Sequence, residues 1–248
     1  KIEEGLATIT FNNPEVMNAT SQTMREEISD ALQRSRDDKE AKVIMLTGEG
    51  RAFSAGDNMR KLARAGAIRP ADFRPYRPFG DVLEEIDKPV IAAVNGAAAG
   101  DGFEMACAAD IRIASERAKF TSAYSKVGFI PAGGSLYTLP RLIGMGRALE
   151  LIWTSRVINA EEAHKIGLAE FVYPEDEFRE KRESLGALVL VPRGENQSFG
   201  DKQKENNNVG LRIDLIILIS TKINNCCIWR GYPIRNFCVL TAILGVIP

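Results

Sequence analysis

The sequence is poor in the residues that most often announce a function. One histidine, His164, stands among 248 residues. The four cysteines, Cys107, Cys226, Cys227 and Cys238, show neither the framework of a disulfide scaffold nor the paired CxxC spacing of a zinc site. No metal is therefore expected, a reducing environment fits, and the expected location is cytoplasm or an organelle matrix. There is no GxSxG elbow and no nucleotide P-loop, and Ser135, which follows Gly133-Gly134, has no evident base. Charge of one sign is lacking too. With 32 Lys+Arg against 33 Asp+Glu the formal net charge is -1, so neither nucleic acid nor an anionic membrane is an expected partner. No apolar run approaches the roughly 18 to 20 residues that span a bilayer. The run at residues 215–219 is short and preceded by Arg212 and Asp214.

What the chain does have is 45% hydrophobic residues, enough for one sizeable core, as a single domain or a domain with an appendage. Short apolar runs alternate with longer amphipathic stretches, the pattern of an α/β fold with a buried, largely parallel sheet. Residues 6–11, 43–46, 90–94 and 111–114 read as strands. Met24, Ile28, Ala31 and Leu32 recur at helical spacing, and further helices are expected over 147–154 and 160–166. The last of these has Asn159 as cap, Glu162 three residues on and Gly167 as stop. Composition changes near residue 182: residues 1–181 hold 26 alanines, residues 182–248 only 2. The expectation is a core over 1–181 and a divergent tail over 182–248, non-homologous or disordered. Arg60, Lys61, Arg64, Arg69, Arg74 and Arg77 form a basic stretch suited either to a phosphorylated ligand or to a solvated loop.

Two corners carry the chemistry. Gly100-Asp101-Gly102-Phe103-Glu104 follows the strand at 90–94 and opens a helix, placing a carboxylate in its first turn. The first amides of a helix have no internal partners and lie at the positive end of the dipole, where a developing oxyanion is stabilised. Glycines let another molecule approach that backbone closely. Gly50 to Asn58 makes a second small-residue corner after the strand at 43–46. Two such corners offer amides that converge on one oxygen.

Together the two corners carry a resemblance. Asn13-Pro14-Glu15-Val16-Met17-Asn18-Ala19, Arg51-Ala52-Phe53-Ser54-Ala55-Gly56, Pro89-Val90-Ile91-Ala92-Ala93-Val94-Asn95-Gly96, Gly100-Asp101-Gly102-Phe103-Glu104 and Ala109-Asp110-Ile111-Arg112-Ile113-Ala114 stand in crotonase order and spacing. Lys119-Phe120, Gly128-Phe129-Ile130-Pro131 and Leu139-Pro140-Arg141-Leu142-Ile143-Gly144 continue it. The chain resembles an enoyl-CoA hydratase/isomerase over about residues 2–180.

The resemblance implies a crotonase-like spiral of ββα units that binds an acyl-CoA thioester, with coenzyme A entering as part of the substrate and no separate cofactor. It assigns the oxyanion hole to the backbone N-H groups of Ala55 and Asp101. Substrate contacts fall to Val16, Ser54, Ala55, Gly56, Asp57, Gly100, Gly102 and Pro131. Glu104 matches one of the two acid/base glutamates of family hydratases. The other is absent: Tyr124 occupies its position as the second catalytic candidate, a neutral phenol that is a poor base but orients water or donates a hydrogen bond, and Ala132 stands where some relatives carry an alternative acid. Asp57 sits where many relatives have a small residue and is read as capping or solvating the following helix. Tyr124, Phe129 and Tyr137 shape an apolar acyl pocket or pack in the core. Hydration of an enoyl-CoA is the first expectation, double-bond isomerisation by the single glutamate the second, and an inactive acyl-CoA-binding remnant the third. A homotrimer or hexamer is implied if the tail permits.

Overall fold

Three fully buried strands, β3 (Val43–Gly48), β5 (Val90–Val94) and β7 (Ile111–Ser115), lie side by side at the centre of a six-stranded sheet. Their near-continuous apolar sequences suit burial on both faces, as parallel strands require. The computed structural model describes residues 1–57 and 79–190, all within one unit, Lys1–Val191. The sheet is extended by β2 (Leu6–Phe11), the short antiparallel β1 (Ile2–Glu3) and, at the other edge, β10 (Phe171–Tyr173), in the order β1-β2-β3-β5-β7-β10. A second sheet holds β4 (Ala52–Ser54), β6 (Ala97–Ala99), β8 (Lys119–Thr121) and β9 (Ile158–Asn159) in that order.

Each central strand of the first sheet is followed directly by a strand of the second: β3 by β4, β5 by β6, β7 by β8. This two-sheet advance is the spiral of ββα units that the sequence led us to expect. The helix Asp101–Ala108 leaves β6 and packs under both sheets, with Phe103, Met105, Ala106 and Cys107 in the core.

The helix Gln22–Asp37 is capped by Ser21, whose side chain accepts from the Met24 amide at 3.2 Å, and buries Ile28 and Leu32. Asn159 caps the helix Ala160–Lys165 by accepting from Glu162 N at 2.8 Å. The helix Met145–Thr154 contains the expected 147–154. Unanticipated are the helix Ser135–Ile143, which has Pro140 inside it, and the helix Glu175–Leu190. The second runs through residue 182, so the change in composition does not coincide with a structural boundary. The basic residues from Arg60 to Arg77 and the part of the tail beyond residue 190 lie outside the described residues.

The Ala109-to-Ala114 motif has a structural role. Arg112, fully buried, donates to the carbonyls of Leu168, Ala109 and Asp110 and pairs with Glu170 at 2.6 Å. Five directed donors on one planar group tie β7 to the Asp101 helix and to the segment before β10. Among the described residues no buried side-chain polar atom lacks a partner.

Candidate active site

The two corners meet. A β-carbon added to Gly56 would lie 2.5 Å from the Ala99 carbonyl oxygen and 3.1 Å from the Asp101 amide nitrogen, and one added to Gly100 would lie 3.7 Å from Gly56 Cα. Gly56 also has φ +75°, a conformation that L side chains adopt only with strain, so glycine alone permits this approach. Gly102 serves the same contact from the helix side, where a β-carbon would collide with the Ser54 carbonyl and side chain.

The amides differ from the expected pair. Asp101 opens the helix with its own N-H, which makes no hydrogen bond to a described residue. Ala55 N-H, by contrast, donates to the Met17 carbonyl at 2.9 Å and is already used. The cause is a short pairing of the Met17-to-Thr20 segment with this corner, in which Thr20 N also donates to the Gly56 carbonyl at 2.7 Å. Gly56 N donates to Ser54 Oγ at 3.2 Å. The next amide, that of Asp57, makes no hydrogen bond to a described residue and is open where that of Ala55 is not.

Ser54 is fully buried, with its hydroxyl donating to the Asn18 carbonyl at 2.9 Å. It holds the corner together and presents no surface to a ligand, contrary to its expected role as a substrate contact. Gly102 and Pro131 are buried, as are Gly56 and Gly100. Val16 is exposed on the turn Pro14–Val16. Phe129 is 42% exposed, so it is not a core residue, and Tyr137 carries the Arg141 guanidinium over its ring at 3.4 Å.

Glu104, in the first turn of the Asp101 helix, is 1% exposed. Its Oε1 accepts from Ser135 Oγ at 2.8 Å, from Gly133 N at 2.9 Å and from Ser135 N at 3.3 Å. Its Oε2 accepts from Tyr124 Oη at 2.6 Å and from Gly133 N at 2.9 Å. Burial raises the Glu104 carboxyl above the ordinary value, opposed by the Tyr124 and Ser135 hydrogen bonds and reinforced by the Asp101 charge. A carboxyl that is desolvated yet supplied with donors is suited both to give and to take a proton. Any side chain at 133 would strike Glu104 Oε2. Gly133 and Ser135 were missed as site residues; the only sequence signal was the Gly133-Gly134-Ser135 run itself, read for a nucleophile and found wanting. Ser135 is instead a donor to Glu104.

A buried polar chain continues from Glu104. Tyr124 Oη also lies 3.0 Å from Asp101 Oδ1. Asp101 Oδ2 accepts from Arg25 Nη2 at 2.6 Å, Arg25 Nε at 3.0 Å and Thr20 Oγ1 at 3.1 Å. Arg25 pairs with Asp57 as well. Asp57 is therefore an ion-pair partner of the helix Gln22–Asp37, while the following helix that it was expected to cap lies outside the described residues. Burial raises the Asp57 carboxyl, aided by Asp101 and opposed by Arg25. The Tyr124 phenol is pushed well above its usual value by burial and by the Asp101 and Glu104 charges, so it stays a neutral donor.

The residues quoted for the resemblance thus fold into one constellation: open helix-start amide, glycine contact and buried carboxyl. The family model described as enoyl-CoA hydratase/isomerase matches residues 1–196. This chain belongs to that family and is an enzyme of it. Among individual relatives, a probable enoyl-CoA hydratase of Rhodobacter capsulatus is 40% identical over 82% of this chain and 78% of its own length. A crotonyl-CoA hydratase of Syntrophomonas wolfei is 37% identical over 75% and 73%. A solved enoyl-CoA hydratase subunit from Geobacillus kaustophilus superposes with a TM-score of 0.73 at 30% identity, covering 97% of this chain and 88% of that one. Among the described residues no helix is long and apolar enough to cross a membrane.

Proposed function

We propose that the protein adds water across the double bond of an enoyl-CoA thioester, with coenzyme A carried by the substrate and no further cofactor. The thioester oxygen sits between the Asp101 and Asp57 amides. As hydroxide adds to Cβ, charge develops on that oxygen, and two preorganised donors stabilise the resulting enolate; loss of one such donor typically costs about 3 to 4 kcal/mol. Glu104 takes the proton that water gives up and returns a proton to Cα, so its protonation state is restored at the end of the cycle. The observation that carries the reading is the buried, donor-rich Glu104 one helical turn from the open Asp101 amide. Gly56, Gly100 and Asp57 border the thioester, while Ser54 and Gly102 support the corners from behind.

Tyr124, where a second carboxylate is expected, favours a second reading. A single glutamate moving one proton between the α and γ carbons makes the enzyme a double-bond isomerase. Incubation with a panel of unsaturated CoA esters followed by mass analysis separates the two. Gain of one water supports hydration, an unchanged mass with a moved double bond supports isomerisation, and recovery of every ester intact contradicts both. Self-association through Met145, Trp153 and Val157, large apolar side chains that are 62%, 70% and 51% exposed, supports the trimer or hexamer. Sedimentation of the full chain tests it.

A further inference from the structure

The Tyr124 hydroxyl has one proton and two carboxyl oxygens within reach, Glu104 Oε2 at 2.6 Å and Asp101 Oδ1 at 3.0 Å. A phenol donates one hydrogen bond at a time. When the proton points to Glu104, the phenol oxygen turns lone pairs toward Asp101. When Glu104 carries a proton of its own on Oε2, it donates to the phenol oxygen, and the phenol proton is free to point to Asp101. Asp101 is fixed for the second arrangement, because Arg25 and Thr20 hold its other oxygen, Oδ2.

We propose that Asp101 stands in for the missing second carboxylate by acting through Tyr124, whose hydroxyl swings from Glu104 to Asp101 each time Glu104 gains a proton and back when it loses one. No bond forms or breaks at Tyr124 or Asp101, and their proton counts stay constant; the only proton exchanged is the one Glu104 trades with water and substrate. Asp101 is thus a positioning residue. Without it Tyr124 would serve only the ionised Glu104 and leave the protonated form one hydrogen bond short, tilting the carboxyl away from the balance that acid/base exchange needs. The proposal rests on the hydratase or isomerase reading above.

Among the described residues the groups that face this chain are few. Tyr124, Ser135 and the Asp101 charge face Glu104, as does Cys107 on its own helix. Arg25, Thr20 and Tyr124 face Asp101, and Asp57 shares Arg25. The helix Phe79–Glu84, packed against the Asp101 helix, buries only Phe79, Gly80, Val82 and Leu83.

The test is the acid limb of the kcat/KM pH profile in three variants, measured on whichever enoyl-CoA the wild type converts. In Asp101→Asn the amide oxygen still accepts from Arg25 while the amide nitrogen donates to the phenol oxygen. That locks the phenol proton on Glu104, so kcat falls at least about tenfold, KM changes less than about threefold, and the acid limb moves to lower pH. In Tyr124→Phe the donor to Glu104 is gone and the limb moves to higher pH. In the double variant the Asp101→Asn effect shrinks to the small remainder that the Asp101 charge exerts on Glu104 directly, because the hydroxyl through which most of it acts is missing. The proposal is overturned if Asp101→Asn leaves kcat and the limb in place, if Tyr124→Phe fails to raise the limb, or if Asp101→Asn lowers it equally with and without the Tyr124 hydroxyl. The last result would make Asp101 a distant charge only. Absence of wild-type turnover refutes the reaction itself, whereas a dead Glu104→Gln beside an unaltered Asp101→Asn refutes only the role of Asp101. Circular dichroism and binding of a saturated CoA ester confirm that each variant is folded.

Discussion

The corner at Ser54 to Asp57 and the corner at Gly100 to Glu104 look alike in sequence, each a strand running into small residues, but they divide the work unequally. The first is bound up in structure: its Ala55 and Gly56 amides are spent on Met17 and Ser54, its Gly56 carbonyl accepts from Thr20, and the Ser54 hydroxyl donates to the Asn18 carbonyl. The second keeps its Asp101 amide clear of described partners and carries Glu104, the proposed acid/base group. Small residues mark where two segments approach, whereas the direction of each amide is set by the tertiary pairing.

That contrast predicts that damage to the second corner is read in rate and damage to the first in stability. The largest effect is expected for Glu104→Gln, which removes the acid/base group while preserving shape. Its kcat should fall by roughly 10²- to 10⁴-fold in steady-state assays, with CoA-ester binding changed less than about threefold. Gly56→Ala, at the contact between the corners, should damage both. A β-carbon 2.5 Å from the Ala99 oxygen and 3.1 Å from the Asp101 nitrogen pushes the amide away from the thioester. The expectation is a loss of about 10²-fold in kcat and roughly 2 kcal/mol or more in chemical denaturation.

Asn18→Ala strikes the first corner alone. Asn18 donates to the Glu49 and Ala52 carbonyls and accepts from Asn13 N, all from a fully buried position. Removing it should cost about 2 to 4 kcal/mol of stability and less than about tenfold in kcat; a variant of unchanged stability and abolished turnover would reverse the division between the corners. The smallest effect is a trend with pH. Glu104 is raised above its ordinary 4.5, so ionising it in the fold costs stability: its contribution is complete below that range and is lost as pH rises through the raised value. Glu104→Gln lacks this loss, so its melting temperature relative to wild type should climb as pH goes from about 4.5 upward. The raised Asp57 is common to both proteins and cancels.

The central strands and the Asp101 helix were legible because burial on both faces leaves apolar runs that nothing else explains. The second sheet was not, since strands of two or three residues such as Ile158–Asn159 carry no period to read. The helix Ser135–Ile143 was hidden by Pro140 and by the glycines before it. Within the site, Glu104, Tyr124 and Asp101 were visible as residues and Asp57 as a position. The link from Arg25 to Asp101, 76 positions apart, was not, because ion pairs between distant segments leave no local pattern. Ser135 was noticed for the wrong reason: a hydroxyl without a base is a poor nucleophile but a good donor to a buried carboxylate.

The most direct test of the account is a crystal structure of Glu104→Gln bound to an unsaturated acyl-CoA. The thioester oxygen should lie about 2.7 to 3.1 Å from the amide nitrogens of both Asp101 and Asp57, with the Ala55 amide still on Met17. An oxygen held by Ala55, or lying away from Asp101 altogether, would contradict it.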